Sequence, residues 1–308
     1  MHVDKLTAGG TTLMVFDVSP DDLDGLRPQL DEVLHTSGSV LLRGLAIVSP
    51  ERFHAIVGGF GDPLTSYRGG NTPRTTVTDG VFTSTEYPAE YEISLHNELS
   101  YAGTWPERLY FACLVAAETG GATPVCDGRA LLADLDADVR ARFTDRGVVY
   151  RQHLHGGYGL GKSWQQTFET EDRAEVEAFL TGVGIAHEWV DDGLRTTQPR
   201  PGVRTHPVTG ETVWFNQADQ WHPSNLPEEE REALLALVED EAELPHSVTF
   251  GDGSPLTEDD LAQVRAAAKR NELAFRWEPG DLLIVDNMLA LHGRHPYAGP
   301  RRILVSMT

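Results

Sequence analysis

The sequence predicts an α+β protein with a mainly β core and flanking helices. Two observations favour this class: apolar stretches of strand length recur along the chain, and segments with apolar residues at helical spacing lie between them. A chain of 308 residues can bury a large core. We therefore expect a single domain over residues 1–308, with a helical insert at about 127–271 in the β core.

The N-terminal half alternates predicted strands and helices. Its clearest boundary is Ser49-Pro50, because the serine hydroxyl can accept a hydrogen bond from an unpaired backbone N–H and proline has no N–H to leave unpaired. The predicted strands are 12–18, 38–45, 75–81, 93–101, 109–117, 123–126 and 148–153, and the predicted helices are 20–34, 49–58 and 127–143.

The C-terminal half ends in closely spaced strands. The predicted strands are 185–190, 211–217, 282–285 and 301–307, and the predicted helices are 172–182, 227–241 and 257–271. Thr257 and Asp260 have the spacing of a capping box, which marks a helix start. In the last strand, alternation puts Arg301 and Arg302 on opposite faces, so one of them points inward and needs an anionic partner.

Composition and charge exclude several classes of function. The net charge of −22 disfavours nucleic acids and anionic membranes, which both require a basic surface. No run of 18 apolar residues predicts a membrane span, and the N-terminus lacks the pattern of a secretory signal. The two cysteines, Cys113 and Cys126, are interpreted as core residues. We expect a cytoplasmic protein.

Two distant segments carry the residues of a candidate metal site. His96 and Glu98 lie two apart in a predicted strand, so their side chains share one face, and His292 follows the strand 282–285. Two imidazoles and one carboxylate form the facial triad that holds Fe(II) and leaves positions open for a co-substrate and O2. The short pattern proves little alone, because chance yields roughly two matches at this composition. His2-Val3-Asp4 also fits it.

At these residues the sequence resembles the taurine dioxygenase (TauD/TfdA) family of Fe(II)/2-oxoglutarate oxygenases, and within it the syringomycin-type aspartyl hydroxylases. The resemblance extends from about residue 38 to residue 307. Its parts, in chain order, are Val40-Leu41-Leu42-Arg43-Gly44, Leu95-His96-Asn97-Glu98, Gly120-Gly121-Ala122-Thr123-Pro124, Trp214-Phe215-Asn216-Gln217 and the block 286–302. It implies a double-stranded β-helix (jelly roll) with flanking helices.

The resemblance also implies roles for individual residues. His96, Glu98 and His292 would hold the iron, while Arg302 and Thr123 would bind the distal carboxylate of 2-oxoglutarate. The family's usual acid is Asp, but related amino-acid hydroxylases also use Glu. In the taurine enzyme an arginine four residues past the oxoglutarate arginine binds the sulfonate, and here that position is Ser306. We therefore expect a substrate other than taurine.

The predicted function is hydroxylation of an unactivated C–H bond of an amino acid, free or tethered to a carrier protein, in natural-product biosynthesis. The candidate substrate-binding residues are Arg74, Asn97, Phe215 and Arg294. Two alternatives stay open: an oxygenase of another small natural product, by hydroxylation, desaturation or cyclisation, and a non-catalytic cupin-like metal-binding module. The module would have no need of Arg302 and Thr123. Homo-oligomerisation is also left open.

Overall fold

The computed structural model describes residues 2–67, 69–70, 74–85, 87–238 and 243–308. The strands are β1 His2–Ala8, β2 Thr11–Asp17, β3 Ser39–Arg43, β4 Thr76–Thr78, β5 Val81–Thr83, β6 Ile93–His96, β7 Arg108–Val115, β8 Thr119–Gly120, β9 Val125–Asp127, β10 Val148–Leu154, β11 Ala186–Val190, β12 Gly193–Arg200, β13 Val203–Thr205, β14 Thr212–Trp214, β15 His246–Phe250, β16 Leu282–Asp286, β17 Ala290–Arg294, β18 Tyr297–Ala298 and β19 Arg302–Met307. The α-helices are α1 Leu23–Ser37, α2 Pro50–Val57, α3 Gly128–Ala133, α4 Ala137–Arg146, α5 Trp164–Phe168, α6 Arg173–Gly182, α7 Ala218–Trp221, α8 Glu228–Leu235 and α9 Glu258–Arg270.

The largest sheet has eight strands in the order β1-β2-β3-β16-β7-β19-β5-β4. Its pairs are antiparallel except β2 and β3, which run parallel and are joined through α1. β16 is buried at every position, which explains its unbroken run of apolar residues. The C-terminal strand β19 lies inside the sheet, between β7 and β5.

The two faces of this sheet pack against different layers. One face packs against α1 and α2 through residues such as Leu42, Ile284 and Leu304. The other face carries Leu283, Val305 and their neighbours into a larger core, which it shares with β9 and β17. The alternation expected in the last strand is therefore confirmed.

A three-stranded sheet with the order β6-β17-β9 faces this larger core. In β17, His292 is directly opposite His96 of β6 and also opposite Val125 of β9. Directly opposite residues of neighbouring antiparallel strands project to the same side. This register therefore places the two histidines together.

The segment predicted as a helical insert is only partly helical. It contains the four-stranded sheet β11-β12-β10-β15 and the hairpin β13-β14 as well as α3 to α9. The helix predicted over 127–143 is two helices, because the chain breaks after Ala133 and restarts at the N-cap Asp136. The last part of the helix predicted over 227–241 lies outside the described residues from 239 on.

Helix starts were predicted well. The Ser49 hydroxyl accepts a hydrogen bond from Arg52 N at 3.2 Å, and Thr257 and Asp260 form the expected capping box. β1 was not predicted, because its side chains are almost all exposed and show no apolar alternation. Within the described residues, no helix is long and apolar enough to cross a bilayer.

Candidate metal centre

Three buried side chains from two sheet strands and one turn meet at the candidate metal centre. The ligand atoms of His96, Glu98 and His292 all lie within 4.8 Å of one another. Glu98 Oε2 lies 4.0 Å from His96 Nε2 and 3.8 Å from His292 Nε2. Two imidazoles and one carboxylate in this arrangement fit a divalent iron ion that keeps further coordination positions open.

Burial prepares both imidazoles as ligands, and a hydrogen bond orients that of His96. His96 Nδ1 lies 2.8 Å from the carbonyl of Ser94, which assigns the proton to Nδ1 and leaves the Nε2 lone pair toward Glu98. Burial lowers the pKa of His96. Burial, followed by the charges of His96 and Arg74, lowers the pKa of His292 well below its usual value. Both rings are therefore neutral, which metal binding requires.

Glu98 does not lie on the strand that was predicted to carry it. β6 ends at His96, Glu98 lies in the following turn, and Leu99 has a left-handed backbone with φ 53°. The prediction of a strand over 93–101 is therefore wrong beyond His96. Glu98 is held instead by Asn287, whose side chain bonds the backbone of Glu98 at both its N–H and its carbonyl.

Two further side chains hold the Glu98 carboxylate. Arg74 Nη2 donates to Glu98 Oε2 at 2.6 Å, and the Tyr67 hydroxyl donates to Oε1. The Arg74 guanidinium also lies over the Tyr67 ring, 4.8 Å from its centroid. Arg74 Nε and Nη1 are buried and have no hydrogen-bond partner among the described residues. Arg74, a predicted substrate-binding residue, therefore lies at the centre.

The inward arginine of the last strand is Arg301. Its Nε donates to the carbonyl of Gly121 at 3.0 Å, and its Nη2 lies 3.5 Å from Thr123 Oγ1. Burial, followed by the nearby charge of Arg294, lowers the pKa of Arg301 to about 10. No carboxylate of the described residues pairs with it. A half-buried guanidinium without an acidic partner is suited to an anionic ligand.

Arg302, which was predicted to bind 2-oxoglutarate, points the other way. It is exposed on the outer side of the sheet, near Glu51 of α2. The pairing of β19 with β7 shifts between Arg302 and Ile303, where Leu114 is the extra residue. This β-bulge lies at the point where the chain enters the strand. The exposed position of Arg302 therefore contradicts this assignment.

Thr123 lies beside Arg301 in the interior of the protein. It is 3% exposed, and its hydroxyl accepts a hydrogen bond from Trp277 Nε1 at 3.1 Å. Gly293 N donates to the carbonyl of Pro124 at 3.1 Å, which extends the pairing of β9 with β17 as far as Thr123. Because Thr123 is two residues before Val125, the partner of His292, it projects to the same side as His292.

The structure does not support the other three predicted substrate contacts. Asn97 is fully buried and donates to the carbonyl of Asn287 at 2.7 Å. Phe215 packs in a separate apolar cluster and lies 5.1 Å from the ring of Trp105. Arg294 uses three donor contacts to hold the carbonyls of Tyr87, Pro88 and Tyr91. These side chains support the walls of the site.

A cavity of about 110 Å³ opens beside Glu98. Its remaining lining residues are aromatic or polar and none is a carboxylate or a cation at neutral pH: Tyr67, Tyr101, Gln217, Gln220, Trp221 and His246. Burial, followed by the charge of Lys162, lowers the pKa of His246 to about 4, so this imidazole is neutral. The cavity is the obvious space for a small substrate next to the metal ligands.

Sequence reasoning missed four residues of this centre. Tyr67 lies in a stretch rich in Gly, Pro, Thr and Ser, and Trp277 lies ahead of a turn, so neither has a local signal. Arg301 was one of two equal choices. Asn287 was noted only as part of the segment that ends in His292, although an Asn five residues before a ligand in a buried segment was a signal to consider.

The described residues contain one more group of potential metal ligands, Glu92, Glu272 and His295. This group is partly exposed, and Lys269 Nζ lies 2.8 Å from Glu272 Oε1, where it already neutralises the carboxylate. It is therefore a surface ion-pair cluster.

Two neutral imidazoles and one carboxylate within 4.8 Å of one another form the ligand set of a non-haem iron oxygenase. Comparison with known proteins agrees with this class. The chain belongs to the taurine catabolism dioxygenase TauD, TfdA family, whose model matches residues 3–308. It is an Fe(II)- and 2-oxoglutarate-dependent dioxygenase, and the alternative of a non-catalytic binding module is thereby set aside.

Three similar proteins extend this assignment. The dapdiamide synthesis protein DdaC of Enterobacter agglomerans is 36% identical over 307 residues, covering 99% of this chain and 91% of that protein. A clavaminate synthase-like protein of Arabidopsis thaliana is 32% identical over 288 residues, covering 90% and 83%. The structure of PvcB, an Fe, alpha-ketoglutarate dependent oxygenase from an isonitrile synthetic pathway, matches with a TM-score of 0.57 and 18% identity, covering 99% and 90%.

Proposed function

We propose that this dioxygenase hydroxylates an unactivated C–H bond of an amino acid, free or tethered to a carrier protein, in natural-product biosynthesis. The observation that carries the proposal is Arg74, a buried guanidinium bound to a metal-ligand carboxylate with two donors left for an acidic group. An amino acid presents a carboxylate of this kind. The similarity to DdaC, named for dapdiamide synthesis, supports a natural-product pathway.

In this proposal His96, Glu98 and His292 hold the iron. When bound, iron and 2-oxoglutarate couple the oxidation of the keto acid to succinate and CO2 to the insertion of one oxygen atom of O2 into a substrate C–H bond. Arg301 and Thr123 hold the distal carboxylate of 2-oxoglutarate, since a guanidinium and a hydroxyl donor together suit a carboxylate. Trp277 orients Thr123, because its N–H donates to the threonine oxygen and turns the hydroxyl proton elsewhere.

The substrate occupies the cavity beside Glu98. Arg74 does not line this cavity itself but holds Glu98, which does, and we propose that its two remaining donors receive the substrate carboxylate. The neutral groups of Gln220, Trp221 and His246 exclude a second strong charge at the other end. A sulfonate substrate has no support, because the position four residues after Arg301 is Val305, an apolar core residue. The walls keep bulk water from the reacting carbon.

The proposal also includes a double-stranded β-helix as the architecture of the β core. The eight-stranded sheet and the β6-β17-β9 sheet share one core and carry the site between them, which is the arrangement expected of the two walls of a double-stranded β-helix. We propose a single domain over residues 1–308, because the centre draws on both ends of this range, from Tyr67 to Arg301.

The test is turnover of 2-oxoglutarate by purified protein loaded anaerobically with Fe(II). Oxygen is then admitted with each member of a panel of amino acids, and succinate and the hydroxylated product are measured. We expect succinate formation to rise at least tenfold above the substrate-free rate with one member and to match product in amount. The His96→Ala variant is the negative control.

Amino-acid thioesters of a phosphopantetheinylated carrier domain form the second arm of the panel. A response to these alone identifies the tethered form of the substrate. Protein that binds Fe(II) and 2-oxoglutarate but couples with no amino acid in either arm would overturn the proposed substrate class.

A further inference from the structure

The carboxylate ligand of the metal centre comes from Glu98, whose backbone is not paired with a neighbouring strand. β6 ends at His96, so the backbone N–H and carbonyl of Glu98 are outside the pairing with β17. Glu98 is 2% exposed, and its two backbone groups are therefore cut off from water and require protein partners.

The Asn287 side chain provides both partners. Its Oδ1 accepts from Glu98 N at 2.7 Å, and its Nδ2 donates to the carbonyl of Glu98 at 2.9 Å. The same Nδ2 donates to the carbonyl of Pro106 at 2.9 Å. A primary carboxamide has a donor and an acceptor side by side, so it can pair with one residue as a neighbouring strand would.

Asn287 is itself held on both sides. Asn97 Nδ2 donates to the backbone carbonyl of Asn287 at 2.7 Å. Asp286 Oδ1 accepts from Met288 N and Leu289 N, both at 3.0 Å, which fixes the turn between β16 and β17. The Asn287 side chain is fully buried. Its amide group therefore has one orientation available.

We propose that Asn287 is a positioning residue of the metal centre, which sets the direction of the Glu98 carboxylate. This inference rests on the proposed iron site. Asn287 lies in the turn before β17, the strand that carries His292, and it bonds Glu98, which lies just after β6, the strand that carries His96. It therefore links all three ligands into one rigid unit. Replacing a residue that orients a metal ligand typically lowers metal affinity by about tenfold to a hundredfold.

The experiment compares Asn287→Ala with Asn271→Ala. Asn271 is a matched control, because it is buried, accepts from Gly10 N at 2.7 Å and donates to the carbonyl of Ala267 at 3.0 Å, but it caps the C-terminus of α9 and is not part of the metal centre. Binding of Co(II) to the full chain is titrated by its visible absorption, and Tm is measured for each protein without added metal.

We expect both substitutions to lower Tm, and only Asn287→Ala to weaken Co(II) binding, by about tenfold to a hundredfold, with altered absorption bands. Equal metal affinity in the two variants would overturn the inference. If Asn287→Ala does not fold, Asn287→Asp decides, since it keeps the shape and the acceptor but loses the donor. Unchanged Co(II) affinity and spectrum in that variant would also overturn it. Wild-type protein that binds no Co(II) would refute the proposed iron site itself.

Discussion

Exchanging either of two adjacent arginines tests the assignment of the 2-oxoglutarate site. Arg301 faces the core with no acidic partner among the described residues, whereas Arg302 is exposed on the outer side of the sheet. We expect Arg301→Gln to abolish tight 2-oxoglutarate binding and Arg302→Gln to leave it within about twofold of wild type. The two substitutions remove the same charge from the chain.

The magnitude follows from the burial of Arg301. Removing one partner of a buried, hydrogen-bonded charge pair costs about 2–5 kcal/mol of binding free energy. This corresponds to a dissociation constant raised about 30-fold to 5,000-fold. The Arg301→Gln substitution should not lower the Tm of the ligand-free protein, because burial already disfavours the charge of Arg301.

The assay is an isothermal titration of the Mn(II)-loaded protein with 2-oxoglutarate, and Mn(II) binding is measured separately for each variant. Metal affinity should be unchanged by either substitution, since neither arginine contacts His96, Glu98 or His292. A loss of 2-oxoglutarate binding in Arg302→Gln equal to that in Arg301→Gln would refute the reasoning.

Three more predictions concern other contacts of the site and the core. Thr123→Val removes the hydroxyl beside Arg301 and should raise the dissociation constant of 2-oxoglutarate about three- to tenfold in the same titration, with metal affinity unchanged. Arg74→Met should leave 2-oxoglutarate binding intact and weaken substrate binding at least tenfold, seen as a higher KM in succinate assays; an unchanged KM would contradict its role. Burial raises the pKa of Asp281 to about 6, above its unfolded value of 3.8, so its protonated form favours folding and this contribution is lost as the pH rises from about 4 to 6. Asp281→Asn should therefore increase the free energy of unfolding in urea by about 3 kcal/mol at pH 8 and by little at pH 4, and a gain of equal size at both would show that titration is not the cause.

The local sequence suggests candidate metal ligands but does not by itself distinguish them from chance matches. His96 and Glu98 lie in one short polar break of an apolar stretch, and His292 follows a fully apolar strand. Their meeting, by contrast, depends on the register of β6 with β17, which no local pattern specifies. The resemblance to a family provided that information.

The choice between Arg301 and Arg302 shows what local patterns leave undetermined. Alternation predicts that the two side chains face opposite ways, and this is observed, but it does not say which face is inside. The inner face is determined by pairing with β7, where a bulge at Leu114 shifts the register next to Arg302. A bulge is a property of two strands together and has no signature in either alone.

The substrate residues were predicted least well, for a related reason. Asn97, Phe215 and Arg294 are polar or aromatic residues near the motifs, but each makes tertiary contacts with distant backbone or side chains. Arg74 is likewise a polar residue near the motifs, and it does lie at the metal centre. Only the three-dimensional structure distinguishes Arg74 from the other three residues.

The pairing of β6 with β17 has a consequence for how the centre assembles. Glu98 and Asn287, which meet in this region, are 189 positions apart in the chain. Contacts between such distant segments form late in folding, because a long loop must close before any pairing rewards it. A chain in which β6 and β17 have not yet paired therefore lacks the complete set of metal ligands.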